Sequence, residues 1–373
     1  MGEDAKENAC EDTITGGDLR FVRLWAVGIL LLFAFGGYSG VRLLRVYKVE
    51  AERIRQSRIK TVITAPDASS SDLRRMHHST LKRVSVGIYV SRIGALSLND
   101  AVWAADFDIW FRWTGDNIRP GETFQLANGD IDLRERRDAY TKGREHYERY
   151  RVKAHLAKRF DSSRFPFSDE GLHIEIRDSI HSTETLRYVA DVRNCGFNSS
   201  GVPSSLRITK WIVGVMENVD GSSLGDPRVT TGDSRAHPGV AFAVLVRPLG
   251  ARLCLSLFQA LFAAVAIALL AAFIKPVYGD GRFGLGVGAF FAAVSNNISV
   301  VSVIPVSDRI TLAAMVNAAG LVTIALTLIQ STVSLHYFDS GRAQLSLLFD
   351  KVSFVVLLLG YTVFSLLLPL AAM

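Results

Sequence analysis

The sequence predicts an antiparallel, immunoglobulin-like β-sandwich followed by a four-helix transmembrane bundle, with an extra hydrophobic helix near the N-terminus. Three observations carry this. Residues 82–247 hold short runs in which apolar and polar residues alternate, separated by turn-forming residues, which is the pattern of half-buried strands. Residues 253–373 hold four long apolar stretches with short links, each able to cross about 30 Å of hydrocarbon as a helix. Mean hydropathy is +0.22 although 21% of residues are charged, so solvated and membrane parts coexist in one chain.

Residues 1–23 begin polar and acidic and read as a disordered tail. Residues 24–41 form an uncharged run of 18. Two readings fit it: a retained signal-anchor helix, or a signal peptide cut near Ala34–Gly36, where small residues cluster. Its flanks, Arg20 and Arg23 before and Arg42, Arg45 and Lys48 after, would by the positive-inside rule put the 42–60 side in the cytoplasm. Residues 42–81 read as a charged juxtamembrane helix running into a linker.

In the β region Val84, Val86, Ile88 and Val90 alternate with more polar neighbours. Along 105–113, Phe107, Ile109, Phe111 and Trp113 face one way, while Asp106, Asp108, Trp110 and Arg112 face the other. Turn chemistry follows at 114–121 and 128–130. Residues 132–145 are too charged for a buried strand and read as an exposed loop. Further strands are expected at 147–156, around Leu172, Ile174 and Ile176, and at 186–192, 206–216 and 240–246. The stretch 217–238 reads as a long loop, and 82–247 has the length of one sandwich domain.

The four apolar spans are 253–274, 283–307, 310–338 and 352–373. The links 275–282 and 339–351 carry Lys275, Arg282, Arg342 and Lys351, whereas the link between the second and third spans carries only Arg309. That asymmetry puts the β domain outside a multi-pass protein of the cytoplasmic membrane. It outvotes the N-terminal flank, because four packed spans constrain topology more than one helix does.

The second span has 25 residues without a charge, yet it is not an oily anchor. Gly284, Gly286 and Gly288 alternate in its first half; Ser295, Asn296, Asn297, Ser299 and Ser302 occupy its second. Small residues let helices approach closely, and polar ones face protein or water rather than lipid. Tight packing with polar glue and the lining of a water-filled lumen are both consistent with this. Counting helically from Asp280 places Gly284, Gly288, Phe291, Ser295, Ile298 and Ser302 on one face. There Asp280 would form a charged ring and Phe291 a hydrophobic constriction that closes by dewetting. In the packing alternative Phe291 meets neighbouring helices and Phe290 or Ala292 takes its place.

Several function classes are excluded. Cys10, Cys195 and Cys254 sit far apart, with no disulfide framework or metal spacing. There is no nucleophile elbow and no phosphate-binding glycine loop, so no catalytic residue, metal or cofactor is expected. The net charge of +6 is spread without the aromatic interleaving of a nucleic-acid surface, so no nucleic-acid partner is expected either.

One sandwich followed by four helices, the second small and polar, resembles a subunit of the pentameric ligand-gated ion channels, the Cys-loop receptor superfamily. Phe165-Pro166-Phe167 with Asp169, running into Leu172–Ile176, is similar to that superfamily's loop-to-strand signature. Trp113 with Asp116, then Pro120, Glu122, Phe124 and Asn128, resemble its second strand and first ligand loop. Trp211, Arg247, Pro305 and Phe349–Ser353 are similar to a late-strand tryptophan, a pre-helix arginine, a pore-helix proline and the opening of the last helix. The resemblance covers 82–373. The chain departs from it in carrying Ser168 directly after Phe167, and the flanking cysteines and the long cytoplasmic insert are absent, as in prokaryotic-type members.

The resemblance implies a homopentamer that binds an unknown small-molecule ligand and passes inorganic ions, more readily cations, across the membrane lipid. It implies coupling through Phe165, Pro166, Phe167, Asp169, Arg247, Pro305 and Asp308, held in a buried acid–base network. It also implies a pocket between subunits, with Phe124, Asn128 and His181 on one side, Trp110, Arg112 and Tyr150 on the other, and Arg228 above. The alternative is a non-conducting, membrane-tethered sensor or scaffold that keeps the fold.

Overall fold

A computed structural model describes residues 14–63, 81–220, 222, 236–248, 250–304 and 308–373. The chain forms two compact units. One comprises 1–48, 162–168 and 250–373, and the other 49–161 and 169–249. Arg228, Pro305 and residues 64–80, which hold the expected linker, lie outside the described residues.

Among the described residues the sheet unit has ten strands: β1 (Lys82–Ser97), β2 (Val102–Thr114), β3 (Phe124–Leu126), β4 (Gly129–Lys142), β5 (Glu145–Ala157), β6 (Glu170–Asp178), β7 (Leu186–Ala190), β8 (Gly196–Phe197), β9 (Leu206–Val219) and β10 (Ala236–Pro248). One sheet runs β4-β5-β2-β1-β7, with β8 also beside β1; the other runs β3-β6-β10-β9. The inward residues of both sheets form one core. Val84, Val86, Ile88, Phe107, Ile109 and Phe111 come from the first sheet, and Leu172, Ile174, Ile176, Val240, Phe242 and Val244 from the second. Trp211 stacks on Phe242 at 5.7 Å. The alternation at 84–90 and 105–113 thus points where the sequence predicts, because a pleated strand sends successive side chains to opposite faces.

Two expectations are corrected here. The first sheet is mixed rather than antiparallel, since β7 and β8 run parallel to β1. Residues 132–145, expected as a loop, lie in β4 and its turn to β5. β4 is an edge strand paired along its length with β5 and exposed at nearly every position. A strand solvated on both faces needs no apolar alternation, and charges on an edge discourage pairing with other chains.

The second unit is helical: α1 (Gly16–Ile63, reaching past the unit), α2 (Gly250–Leu270), α3 (Gly279–Val303), α4 (Leu312–Asp339) and α5 (Ala343–Ala372). Among the described residues five stretches, 16–54, 252–273, 279–303, 312–339 and 343–372, are long and apolar enough to cross a membrane, which makes this a membrane protein. The link expected at 339–351 shrinks to 340–342 because α5 begins nine residues before 352. Its first turns contain Asp350, which is buried at 2% exposure. A buried, partnered charge does not end a helix, although in sequence it reads as a solvated link.

α1 packs along α5. Trp25 donates from Nε1 to Ser353 Oγ at 3.0 Å, and its ring lies 5.5 Å from that of Phe349. Farther along, Phe33 seats against Gly360, where an added Cβ would come within 2.5 Å of the ring. Asp18 pairs with Arg342 at 3.0 Å at one end, and Lys48 donates to the Met373 carbonyl at 3.0 Å at the other. α1 and α5 therefore run in the same direction.

Candidate functional site

α3 has two opposite faces. Arg282, Gly286, Ala289, Ala293, Asn296 and Val300 are buried. Asp280, Gly284, Gly288, Phe291, Ser295, Ile298 and Ser302 are all exposed. At 3.6 residues per turn the exposed seven fall within an arc of about 80°, centred about 160° from the buried six. Phe291 is 66% exposed and Ile298 67%; Gly284 and Gly288 have nothing within 4 Å of an added Cβ. Gly286, on the opposite face, lies so near Leu328 that a Cβ would come within 2.3 Å of it. Asn296 donates across to Asn317 of α4 at 3.3 Å. Packing thus uses one face of the helix and leaves the other free.

Arg282 follows Asp280 by two residues, which on a helix is about 200° of rotation. It is 1% exposed. Its Nε donates to the Ile274 carbonyl at 2.7 Å, its Nη1 to Ser334 at 3.1 Å, and its Nη2 pairs with Asp350 at 2.5 Å. Gln330 donates to the other carboxylate oxygen of Asp350, and Ser334 and Ser346 are 2.8 Å apart. A buried ion pair repays its desolvation only when further hydrogen bonds complete it, and this one has them from Ser334 and Gln330 of α4 and from the Ile274 carbonyl. The Asp280 side chain makes no hydrogen bond or ion pair among the described residues.

The coupling candidates divide between the units. Residues 162–168 belong to the helical unit. There Ser163 accepts from the Leu312 N–H at 2.9 Å, Arg164 donates to the Ala372 carbonyl at 3.2 Å, and the Phe165–Pro166 peptide is cis. The Phe167 ring covers Gly250, where a Cβ would lie 2.5 Å from it. Asp169 and Arg247 belong to the sheet unit and form a bidentate pair at 2.5 and 2.8 Å. The expected burial of this pair is not found: the Arg247 side chain is 57% exposed. β6 and β10 end here, with Val246 opposite Glu170, so the next residues on each strand leave the core. Asp308 is exposed.

The ligand candidates scatter. Phe124 is 0% and Tyr150 6% exposed, and their rings sit 5.7 Å apart in one core, with the Arg134 guanidinium 3.7 Å over Phe124. They are interior neighbours, not opposite walls of a pocket. Burial, followed by its bond to Glu148, pushes the Tyr150 phenol up to about 12. Asn128 braces a turn, donating to the His173 carbonyl at 2.8 Å and accepting from the Glu175 N–H at 3.0 Å.

His181 lies 3.0 Å from Asp178. Asp178 is a hub that sequence reasoning missed. It is 0% exposed and receives the Thr123 and Tyr188 hydroxyls and the His181 and Ile180 N–H groups.

Trp110 and Arg112 do come together, on the solvent face of the first sheet. With Tyr89, Asp108, Tyr147, Arg149, Asp191 and Asn194 they line a concavity of about 390 Å³. The register explains the new members: Trp110 faces Arg149, and Arg112 faces Tyr147, across β2 and β5. Alternation in 147–156 would have shown that Tyr150 points opposite to Tyr147 and Arg149. Trp110 donates to Asp191 at 3.1 Å, and Asn194 donates to it at 2.9 Å. Burial raises the Tyr147 phenol above its ordinary range. The concavity offers aromatic faces, guanidinium donors and carboxylate acceptors to a small polar molecule.

No family model matches the chain, and no curated protein matches it.

Proposed function

We propose that this chain is one subunit of a homopentameric, ligand-gated ion channel of the cytoplasmic membrane. The sheet unit faces outside, α2–α5 form the transmembrane bundle of each subunit, and α3 lines a cation-preferring pore. The observation that carries this reading is the free face of α3. Lipid contact favours leucine, isoleucine, valine and phenylalanine, as α1 displays at Leu24, Leu31 and Phe35, which are 71%, 64% and 73% exposed. The free face of α3 instead offers an aspartate, two glycines and two serines around Phe291 and Ile298. Such a face suits a shared aqueous axis better than acyl chains.

α1 acts in this reading as a retained fifth span. Cleavage near Ala34–Gly36 would remove Trp25 and Phe33, which are packed on α5. The concavity around Trp110 and Arg112 is the ligand-facing surface in this reading.

The test is ion flux through the purified, reconstituted protein together with its subunit count in detergent. Pentamers that pass cations when small polar ligands are applied support the reading. Monomers, or pentamers silent to every ligand and pH step, refute it. A cysteine at Ser222, which is exposed, should react with an impermeant thiol reagent on intact cells. Labelling only after permeabilisation would refute the orientation.

A further inference from the structure

Arg282 and Asp280 open α3 with opposite charges two residues apart, and they are the only ionised side chains in that helix. If both reached the free face, five copies would present as many positive as negative charges and the mouth would have no preference. The structure separates them. Asp280 is exposed, while Arg282 turns inward and meets Asp350 of α5, with Ser334 and Gln330 of α4 completing the set. An arginine keeps its charge at any working pH, so it can be silenced only by a paired counter-charge.

We infer that Asp350 determines the ion preference of the free α3 face from behind. By holding Arg282 in a buried, neutral pair, it leaves Asp280 as the only charge exposed along that face. Asp350 touches no ion itself; it is a positioning residue acting through Arg282. Ser334 serves the same end by accepting from Arg282, and Gln330 by donating to Asp350, so both members of the pair have partners away from water. The inference rests on the proposed pore for its consequence in conduction. The charge on the face can be read without any current.

The readout is a thiol at Gly281, which is exposed and where an added Cβ meets only Ile274, at 3.9 Å. Rates of modification of Gly281→Cys by a cationic and by an anionic thiol reagent are compared in reconstituted full-length protein, with labelling of the parent subtracted. The cationic reagent should react faster. Asp280→Asn should lower the cationic-to-anionic ratio about threefold or more. Asp350→Asn should do the same without touching the face, because Arg282 loses its counter-charge.

The double variant Arg282→Gln/Asp350→Asn removes both members of the pair and keeps polar groups in place. Its ratio should equal that of Gly281→Cys alone. It decides the matter if Asp350→Asn does not accumulate. A rise in the ratio would mean that Arg282 was felt at the face all along, and would overturn the inference, as would an unchanged ratio in a folded Asp350→Asn protein. Expected ratios in a protein that never conducts would leave the charge separation standing and refute only the channel reading.

Discussion

Gly87 and Trp110 face each other across β1 and β2, and the indole lies directly on the glycine. A Cβ at position 87 would fall 2.1 Å from Trp110 Cζ2, 2.3 Å from Cε2 and 2.7 Å from Nε1. No rotation of a methyl relieves such distances, so Gly87→Ala must displace the ring. Displacement breaks the 3.1 Å bond from Nε1 to the Asp191 carboxylate, worth about 1.5–3 kcal/mol for a charged acceptor. If the ring shifts only far enough to keep that bond, the remaining overpacking costs about 1–3 kcal/mol instead. Either route gives roughly 2 kcal/mol, or a fall in Tm of about 4–8 °C for a unit of this size.

The assay is a double-mutant cycle by thermal unfolding of the full chain in detergent. In a Trp110→Ala background the clash is gone, and Gly87→Ala should be neutral or stabilising by about 0.5–1 kcal/mol, the usual advantage of alanine over glycine inside a strand. The non-additivity between the two sites is the signature of contact. An equal loss of Tm in both backgrounds would refute the reasoning, because the cost would then have nothing to do with the indole.

Phe291→Ser should make the reconstituted protein leak ions without ligand, since in the proposed pentamer five hydroxyls would wet a level that five rings would keep dry; a well-expressed pentamer that stays silent refutes the gate. Gly360→Leu should drive Phe33 out of its seat at a cost of about 1–3 kcal/mol, and Phe33→Ala in the same protein should recover most of the loss in unfolding midpoint. Burial by itself would raise the Asp178 carboxyl, but the His181 and Ile180 N–H groups and the Thr123 hydroxyl outweigh it and hold it below its ordinary range. A depressed carboxylate contributes stability that is full above its unfolded value of about 3.9 and lost as pH falls through its folded one. The gap in denaturation midpoint between the parent and Asp178→Asn should therefore be widest near neutrality and close below about pH 4.

The alternation of Val84–Val90 and of Phe107–Trp113 was legible because a strand with one buried face must repeat every two residues. The apolar spans were legible because a helix needs a fixed length to cross hydrocarbon. β4 was not legible. Its charges, Arg134 to Asp138 among them, read as a loop, and only pairing with β5 makes them a strand. The α3 face was countable from Asp280 because helical geometry is regular. The ligand candidates were not, since a residue type such as Phe124 or Tyr150 is equally at home in a core and at a surface.

Local periodicity and hydropathy marked the half-buried strands and the apolar spans, and which of their residues share a face. Tertiary structure alone decided what each face meets. It put Arg282 against Asp350, 68 residues away in the chain, where sequence saw two unrelated charges in links. It docked α1 on α5 and left Arg247 at the surface beside Asp169. The physical reason is the same each time. The state of a charge or ring depends on partners brought to it by packing, and nothing in its own neighbourhood of the chain records them.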